Sequence, residues 1–247
     1  MGKKKSHMII DIGNTRLKVA LYVGNQLDGV LTFSNRAHKQ VAELIENAEA
    51  EHGIISNVTN LPQPLTEMFH ENLNILNFDG STPVPIKSDY ETPDTLGTDR
   101  IANAVGAHKT YPGKNVLIID FGTCIKYDIL SANGTFKGGA ISPGVQMRFK
   151  SMYQMTGKLP RIKEWEESEE YWPGLATRSS MVSGVIQGIH AEILRYIDIS
   201  NEHYNNLTVI ATGGDFAFFD KAFKNIIFAN PYLTLQGLHE ILLYNID

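Results

Sequence analysis

The chain has one cysteine, Cys124, among its 247 residues. A single thiol excludes an intrachain disulfide and a thiolate metal cage, so the fold does not depend on an oxidising compartment. The eight histidines are scattered, and no two of them are four residues apart. The sequence therefore does not predict a transition-metal site.

Long apolar runs and a surplus of positive charge are also missing. No apolar segment approaches the roughly 20 residues that cross a bilayer, and none has the length of a signal-sequence core, so we expect a cytoplasmic protein without membrane contact. Lysine and arginine number 22 against 27 aspartate and glutamate residues, for a net charge of −5, which argues against a nucleic-acid-binding surface. Hydrophobic residues make up 43% of the chain, enough to bury the core of one large domain or two ordinary ones.

The first seven residues differ in character from the rest of the chain. They carry three consecutive lysines and then Ser6 and His7, a pattern typical of an expression leader, with a short native basic tail as the alternative. The predicted fold therefore starts at Met8.

The segment from 8 to 18, MIIDIGNTRLK, is the most informative in the chain. Its apolar run ends on Asp11 and breaks at once into a polar turn with Gly13 and Thr15. A buried strand that delivers a carboxylate, a glycine that lets backbone amides approach, and a hydroxyl together suit a metal-bound phosphate.

About a hundred residues later, VLIIDFGTC at 116–124 repeats this pattern with Asp120, Gly122 and Thr123. Two such units predict a duplicated domain with a ligand held between the copies. Two ordinary hairpins with glycine turns are the alternative.

The remaining periodicity supports a duplication. The first half predicts strands over 8–33, a helix over 37–51, a strand at 54–55, a short helix at 64–70 and a strand at 74–78, which gives β-β-β-α-β-α-β. The second half repeats the start with strands at 116–121, 126–130 and 135–137. GGAISPG at 138–144 is too glycine-rich for a regular element. Later come a strong helix at 181–196, a strand at 207–211 and a helix at 237–246. The apolar stripe of the helix at 181–196 is either core or a subunit surface.

The predicted domains are 8–110 and 111–247.

Two further segments are candidates for binding. The proline-rich loop 82–95 leads into a helix with Thr98 as its N-cap, and Asp99 is either a catalytic group or a first-turn acid favoured by the helix dipole. The strand at 207–211 ends in TGGD, which is either a seat for a nucleotide base or a plain turn.

Taken together, DIGNT, ETPDTLGTDR, DFGT, GGAISPG and TGGD resemble the type III pantothenate kinases, in that family's order. These belong to the acetate and sugar kinase, heat-shock protein 70 and actin superfamily. The resemblance implies an α/β fold of two RNase H-like (actin-like ATPase) domains with mixed sheets around a cleft. It also implies ATP-dependent phosphorylation of pantothenate to 4'-phosphopantothenate, the first step of coenzyme A biosynthesis. A kinase for another small hydroxy acid and a nucleotide-binding regulatory protein of the same fold are the alternatives.

The resemblance also implies roles for individual residues. ATP with Mg²⁺ would be bound by the first phosphate motif, which comprises Asp11, Ile12, Gly13, Asn14, Thr15, Arg16, Leu17 and Lys18, with a further contact from Thr123. Pantothenate would be bound by Tyr90, Gly97, Thr98, Asp99, Arg100 and Thr177. Asp99 would accept the proton of the alcohol, and Asp120 would bind a monovalent cation, K⁺ or NH₄⁺.

Two expectations complete the resemblance. It implies a homodimer, for which the helix at 181–196 is a candidate surface. Cys124 stands where the family usually has alanine, and we expect a small buried packing residue there. On the residues alone, Asp120 as a second Mg²⁺ ligand or as a plain strand-end residue stays open.

Overall fold

The structure is a computed structural model, and it describes residues 6–34, 37–47, 50–59 and 74–246. The chain divides into two compact units. The first comprises Met1–Gly113, Asn133–Lys137 and Tyr232–Asp247, and the second comprises Lys114–Ala132 and Gly138–Pro231. Within the described residues, no helix has the length and apolar character needed to span a membrane.

The first unit contains a five-stranded mixed sheet. The strands are β1 (Ser6–Ile12), β2 (Arg16–Val23), β3 (Gln26–Ser34), β4 (His52–Asn57) and β5 (Asn74–Phe78). Their order is β3-β2-β1-β4-β5, with the first three antiparallel and β4 and β5 parallel to β1. The predicted meander is confirmed, as is the helix after it, α1 (His38–Glu46). The predicted helix at 64–70 lies outside the described residues.

β1 is buried on both faces, which explains its continuous apolar run. Met8 and Ile10 pack into the cluster that holds α1, whereas Ile9 packs into a second cluster on the other face. Because side chains alternate along a strand, one apolar run serves both clusters. Ser6 and His7, which were left out of the predicted fold, belong to this strand.

The second cluster of the first unit is built from α2 (Thr98–Thr110) and α6 (Leu233–Ile246). The two helices approach closely, since a Cβ atom on Gly237 would lie 1.7 Å from the carbonyl oxygen of Ala102. The C-terminal helix starts at 233 rather than at the predicted 237. Its apolar side chains pack within the first unit. The predicted boundaries 8–110 and 111–247 differ from the compact units in this respect and stay a prediction.

The predicted loop 82–95 contains two short elements. Strand β6 (Lys87–Ser88) pairs in parallel with Thr135 and Phe136, and a 3₁₀ turn covers Pro93–Thr95. Thr135 and Phe136 belong to the same unit as the loop. The loop is thereby held by backbone hydrogen bonds, with the amide of Asp89 donating to the carbonyl of Phe136 over 3.0 Å.

The second unit repeats the arrangement of the first. Its strands are β7 (Asn115–Phe121), β8 (Cys124–Leu130), residues 138–143 of β9 (Thr135–Pro143), β10 (Leu207–Thr212) and β11 (Phe228–Ala229). The order β9-β8-β7-β10-β11 matches β3-β2-β1-β4-β5 position by position. The predicted α/β fold with duplicated mixed sheets is therefore confirmed.

The expectation that 138–144 forms no regular element is wrong, because β9 runs to Pro143. Its glycine content has a packing reason. A Cβ atom on Gly139 would lie 1.8 Å from the carbonyl oxygen of Tyr127 on β8, so only glycine permits this approach.

Helices α3 (Val145–Met155), α4 (Thr177–His203) and α5 (Asp220–Phe223) complete the second unit. Five residues of the apolar stripe of α4 lie in the core of this unit with side chains of β7 and β8, namely Val182, Val185, Ile186, Ile189 and Ile193. The interpretation as core is confirmed for these five side chains. Leu194, the sixth residue of the stripe, is 44% exposed, so the helix as a subunit surface stays a prediction.

Candidate active site

The first phosphate motif forms the hairpin between β1 and β2. The amide of Gly13 donates to the carbonyl of Arg16 over 3.0 Å and closes the turn. Asp11 lies directly opposite Lys18 in the antiparallel register, so both side chains lie on one face of the sheet. The carboxylate and the ammonium thus flank a turn whose residues 14–16 are exposed.

Not every residue of the predicted motif has a side chain available for binding. Ile12 and Leu17 are buried in the apolar cluster of α1. Their contribution to any ligand is therefore limited to the backbone.

The second hairpin, between β7 and β8, also has a lysine opposite an aspartate in its register. Asp120 lies opposite Lys126 in the register, and Lys126 Nζ is 2.6 Å from Asp120 Oδ2. Each of the two side chains is 13% exposed. Thr123 at the turn is exposed, and Cys124 is half-buried, so the expected burial of the thiol is only partial.

The turn at Thr123 is braced by the start of α3. The amide of Gly144 donates to the carbonyl of Thr123 over 3.0 Å. A Cβ atom on Gly144 would lie 2.4 Å from the carbonyl oxygen of Gly122, so this contact requires glycine. Arg148 on the next turn donates to the carbonyl of Pro143 over 2.8 Å and keeps this segment in place.

Most of the residues predicted to bind pantothenate, the phosphoryl acceptor, form a group of side chains in the first unit. Arg100 is 4% exposed, and its Nη1 donates to the hydroxyl of Tyr90 over 3.3 Å. The guanidinium carbon lies 5.3 Å from the ring centroid of Tyr90 and 5.5 Å from that of Phe136. A planar cation packed against two aromatic rings is oriented, and it is suited to a carboxylate or another polar acceptor.

Asp99 lies in the first turn of α2, beside this group. Its Oδ1 accepts a hydrogen bond from the amide of Arg100 over 2.9 Å. A Cβ atom on Gly97 would lie 2.7 Å from that same oxygen, so glycine at 97 leaves the carboxylate its space. The prediction that Thr98 is the N-cap is wrong, because Gly97 takes that position and the hydroxyl of Thr98 shares a hydrogen bond of 3.1 Å with Ser56 instead.

Thr177 is the first residue of α4 in the second unit. It lines an open cavity of about 690 Å³ together with apolar side chains, among them Met152, Leu159 and Leu175. The structure therefore gives Thr177 a concave setting within its own unit.

Sequence reasoning missed a second cavity, of about 540 Å³, in the same unit. Trp165 and Phe218 lie in its wall with ring centroids 4.7 Å apart, and Lys163, Lys221 and His190 also line it. Nε2 of His190 is buried and has no hydrogen-bond partner among the described residues, and burial lowers the pKa of this imidazole below its usual value. The only signal in the sequence was TGGD, since residues 217–222 of the cavity come shortly after it.

Comparison with known proteins identifies the family. A family model described as type III pantothenate kinase matches residues 7–198. The type III pantothenate kinase of Phocaeicola vulgatus is 40% identical over 97% of this chain and 98% of its own length. This chain belongs to the type III pantothenate kinases. The family member from Cytophaga hutchinsonii is likewise 40% identical, over 97% of this chain and 100% of its own length.

Solved structures of other kinases share the fold. A ROK family glucokinase from Streptomyces griseus, solved with glucose and AMPPNP, aligns with a TM-score of 0.56 and 10% identity over 97% of this pantothenate kinase family member and 100% of the glucokinase. An inorganic polyphosphate/ATP-glucomannokinase from Arthrobacter aligns with a TM-score of 0.52 and 15% identity, covering 97% and 99%. At this level of identity the likeness establishes the fold alone.

Proposed function

We propose that this protein transfers the γ-phosphoryl group of ATP to the primary hydroxyl of pantothenate and forms 4'-phosphopantothenate, the first step of coenzyme A biosynthesis. The observation that carries the proposal is the group formed by Asp99, Arg100 and Tyr90 in a chain of this family. It combines a base, a buried cation and an aromatic ring next to one helix start. A protein that only senses nucleotides does not require a carboxylate that accepts the proton of an alcohol substrate.

Asp99 is the proposed general base. Phosphoryl transfer asks the protein to position the alcohol and to neutralise the phosphates, with little covalent chemistry of its own. A carboxylate at the start of α2 serves the first task by accepting the hydroxyl proton as the oxygen attacks phosphorus. The amide of Arg100 holds one carboxylate oxygen over 2.9 Å and so fixes the orientation of the group.

Arg100 is the proposed partner of the pantothenate carboxylate. Its guanidinium is almost fully buried, and a guanidinium presents a planar fork of N–H donors that matches a carboxylate. Tyr90 and Phe136 restrict the plane of the guanidinium, which favours a two-point contact with a carboxylate. Gly97 and Thr98 shape this end of the helix, and Thr177 is proposed to contact the distal part of the substrate.

Each hairpin turn, taken by itself, is proposed as a contact for the phosphates of the nucleotide. Mg²⁺ bound with ATP neutralises phosphate charge, and the hard oxygen of Asp11, followed directly by the turn amides, fits such an ion. Lys18 adds a positive charge on the same face of the sheet. In the second unit, the exposed Thr123 adds a hydroxyl at the turn.

The cavity at Trp165 and Phe218 is the proposed seat of the adenine base. Its volume of about 540 Å³ is in the range of small-molecule pockets, and two aromatic side chains line it. His190 Nε2 provides a buried polar atom for one ring nitrogen or the exocyclic amine. Gly213 and Gly214, which come shortly before the lining residues Ala217 and Phe218, allow close backbone approach.

Asp120 fits the implied K⁺ or NH₄⁺ by its oxygen chemistry but not by its surroundings. The ammonium of Lys126 already lies 2.6 Å from Asp120 Oδ2. We therefore assign no step of the reaction to a dissolved monovalent cation.

A cytoplasmic homodimer is proposed for the working protein. Several apolar side chains of the second unit are largely exposed, among them Met155, Tyr171, Trp172 and Leu175. Tyr171, Trp172 and Leu175 lie within one short segment, and apolar side chains that form a contiguous exposed patch are typical of an interaction surface. Sedimentation equilibrium tests the dimer, and a monomer at all concentrations would remove it.

Product identification tests the proposed reaction. Incubation with ATP, Mg²⁺ and pantothenate is expected to give ADP and a pantothenate that carries one phosphate on its primary hydroxyl, as identified by ³¹P NMR and mass spectrometry. Other small hydroxy acids are supplied in parallel reactions. Phosphorylation of one of them in place of pantothenate would contradict the substrate assignment.

A further inference from the structure

We propose that the ε-ammonium of Lys126 is the monovalent cation of the second phosphate turn, so that this enzyme needs no dissolved potassium or ammonium ion. The inference rests on the proposed function, in which the phosphates of ATP lie at this turn. It concerns a side chain, Lys126, to which the family resemblance assigns no role.

The geometry places the ammonium at the carboxylate. Asp120 and Lys126 are cross-strand partners of β7 and β8, and their side chains lie on the same face of the sheet. The Nζ to Oδ2 distance is 2.6 Å, at the short end of charge-assisted hydrogen bonds. Both side chains are 13% exposed, so solvent screens this pair less than it screens a surface pair.

The ammonium group of Lys126 and a dissolved K⁺ or NH₄⁺ ion are both singly charged and are both bound by oxygen atoms. A site that accepts K⁺ or NH₄⁺ binds a singly charged ion through oxygen atoms, and a lysine side chain ends in a substituted ammonium with three N–H donors. The tether removes most of the entropic cost of binding, because the cation is always present beside its ligand. A dissolved ion would have to displace this ammonium from Asp120.

The charge of Lys126 affects ATP binding, because it reduces the repulsion between the carboxylate of Asp120 and the triphosphate. An unpaired carboxylate at the second turn would repel the triphosphate, and the repulsion would be strong in a partly dehydrated site. Lys126 cancels that charge. In the first hairpin the strand register likewise places a lysine, Lys18, opposite the carboxylate of Asp11, so each copy of the duplicated unit has a lysine at this position.

The test compares the parent with Lys126→Met, which keeps much of the side-chain length and removes the charge. Initial rates of pantothenate phosphorylation are measured with ATP and Mg²⁺ in sodium buffer and in potassium buffer of equal ionic strength. Melting temperatures of both proteins are measured in the same buffers without substrates. The parent is expected to give equal rates within about twofold, whereas Lys126→Met is expected to be slow in sodium and to gain about tenfold in potassium or ammonium.

Melting provides a readout that does not depend on turnover. Potassium is expected to raise the melting temperature of Lys126→Met above its value in sodium, since a bound ion stabilises the folded state, and to leave the parent unchanged. Lys126→Arg, which retains a cation, is expected to behave like the parent. Lys109→Met serves as a matched control, because it removes an ammonium from the exposed pair with Glu240.

A parent that is severalfold faster in potassium than in sodium would overturn the inference. So would a folded Lys126→Met whose rate and melting temperature ignore potassium. If Lys126→Met does not fold, Lys126→Gln takes its place. The rates of the parent in sodium and in potassium already decide whether the enzyme needs a dissolved monovalent cation. A parent that does not phosphorylate pantothenate at all would contradict the proposed function instead, while the melting comparison would still decide the role of Lys126.

Discussion

Arg100 Nη1 lies 3.3 Å from the hydroxyl of Tyr90, and this contact connects the loop 82–95 to the start of α2. The amide of the same arginine holds the carboxylate of Asp99. One residue thus orients the proposed base through its backbone and the proposed substrate loop through its side chain. The predictions for Asp99 and Arg100 separate these two tasks.

The first prediction concerns Asp99. Asp99→Asn keeps the size of the side chain and its acceptor oxygen but removes the base, so turnover should fall by roughly 10² to 10⁴ with the fold intact. Steady-state kinetics and thermal melting measure the two effects. Asp94→Asn, an exposed acid in the preceding 3₁₀ turn, is the matched control and should retain parental turnover. If the turnover of Asp99→Asn were within a few-fold of the parental value, Asp99 would be a first-turn acid favoured by the helix dipole and not the general base.

The second prediction concerns Arg100. Arg100→Met keeps the apolar part of the side chain against Tyr90 and removes the charge, so KM for pantothenate should rise by about 10- to 100-fold, the value of one charge-assisted contact. KM for ATP should stay near the parental value. Pantothenol, which has a hydroxyl in place of the carboxylate, should be a poor substrate for the parent, and the mutant should discriminate little between the two acceptors. Equal loss with both acceptors would place the carboxylate elsewhere.

The third prediction concerns Gly144. A Cβ atom there would lie 2.4 Å from the carbonyl oxygen of Gly122 and 2.6 Å from that of Thr123, so Gly144→Ala must move the turn between β7 and β8, which is the proposed second phosphate turn. We expect a rise in KM for ATP of about tenfold with little change for pantothenate. Gly157→Ala, at a glycine with open space around it, is the control. Unchanged ATP kinetics in a folded Gly144→Ala would mean that this turn does not contact the nucleotide.

The duplicated sheets could be predicted from the sequence because their signals are local. Each copy starts with an apolar run, a carboxylate and a glycine turn, and these features lie within about ten residues of one another. The irregular segment before Asp99 could also be predicted, because proline and glycine interrupt the chain there, whereas its role in binding the acceptor stays a prediction. These features depend on neighbours in sequence and not on packing.

Other features depend on contacts between distant residues, and sequence reasoning missed or misjudged them. The cavity lined by Trp165, His190 and Phe218 draws its walls from three separate elements. The glycines of β9 look irregular until Gly139 is seen against Tyr127. The apolar pattern of the C-terminal helix does not say against which unit it packs, whereas its contacts with α2, among them the close approach of Gly237 to Ala102, place it in the first.

The fourth prediction concerns the stability of the first unit below neutral pH. His239 on α6 is 3% exposed, its Nε2 is 3.0 Å from Nδ1 of His7, and the Tyr22 ring stacks on it at 3.9 Å. Burial, followed by the positive potential of His7 and Lys109, lowers the pKa of His239 to about 4. Between pH 6.5 and 4 the unfolded chain binds a proton that the folded chain does not, so the free energy of unfolding should fall as the pH drops through this window, by on the order of 2–3 kcal/mol.

Urea unfolding at pH 7 and pH 5 measures this dependence. His239→Gln removes the titrating group and should lose less stability than the parent between the two values. The exposed His203→Gln should lose as much as the parent. An equal loss in all three proteins would show that His239 is not the group responsible.

The measurement that tests the account most directly is ADP release with and without pantothenate, in the parent and in Asp99→Asn. A kinase of this substrate should release ADP slowly from ATP and Mg²⁺ alone and much faster when pantothenate is added. Asp99→Asn should lose that stimulation. Slow ADP release that pantothenate does not change in the parent would contradict the account and favour a nucleotide-binding regulatory protein of the same fold.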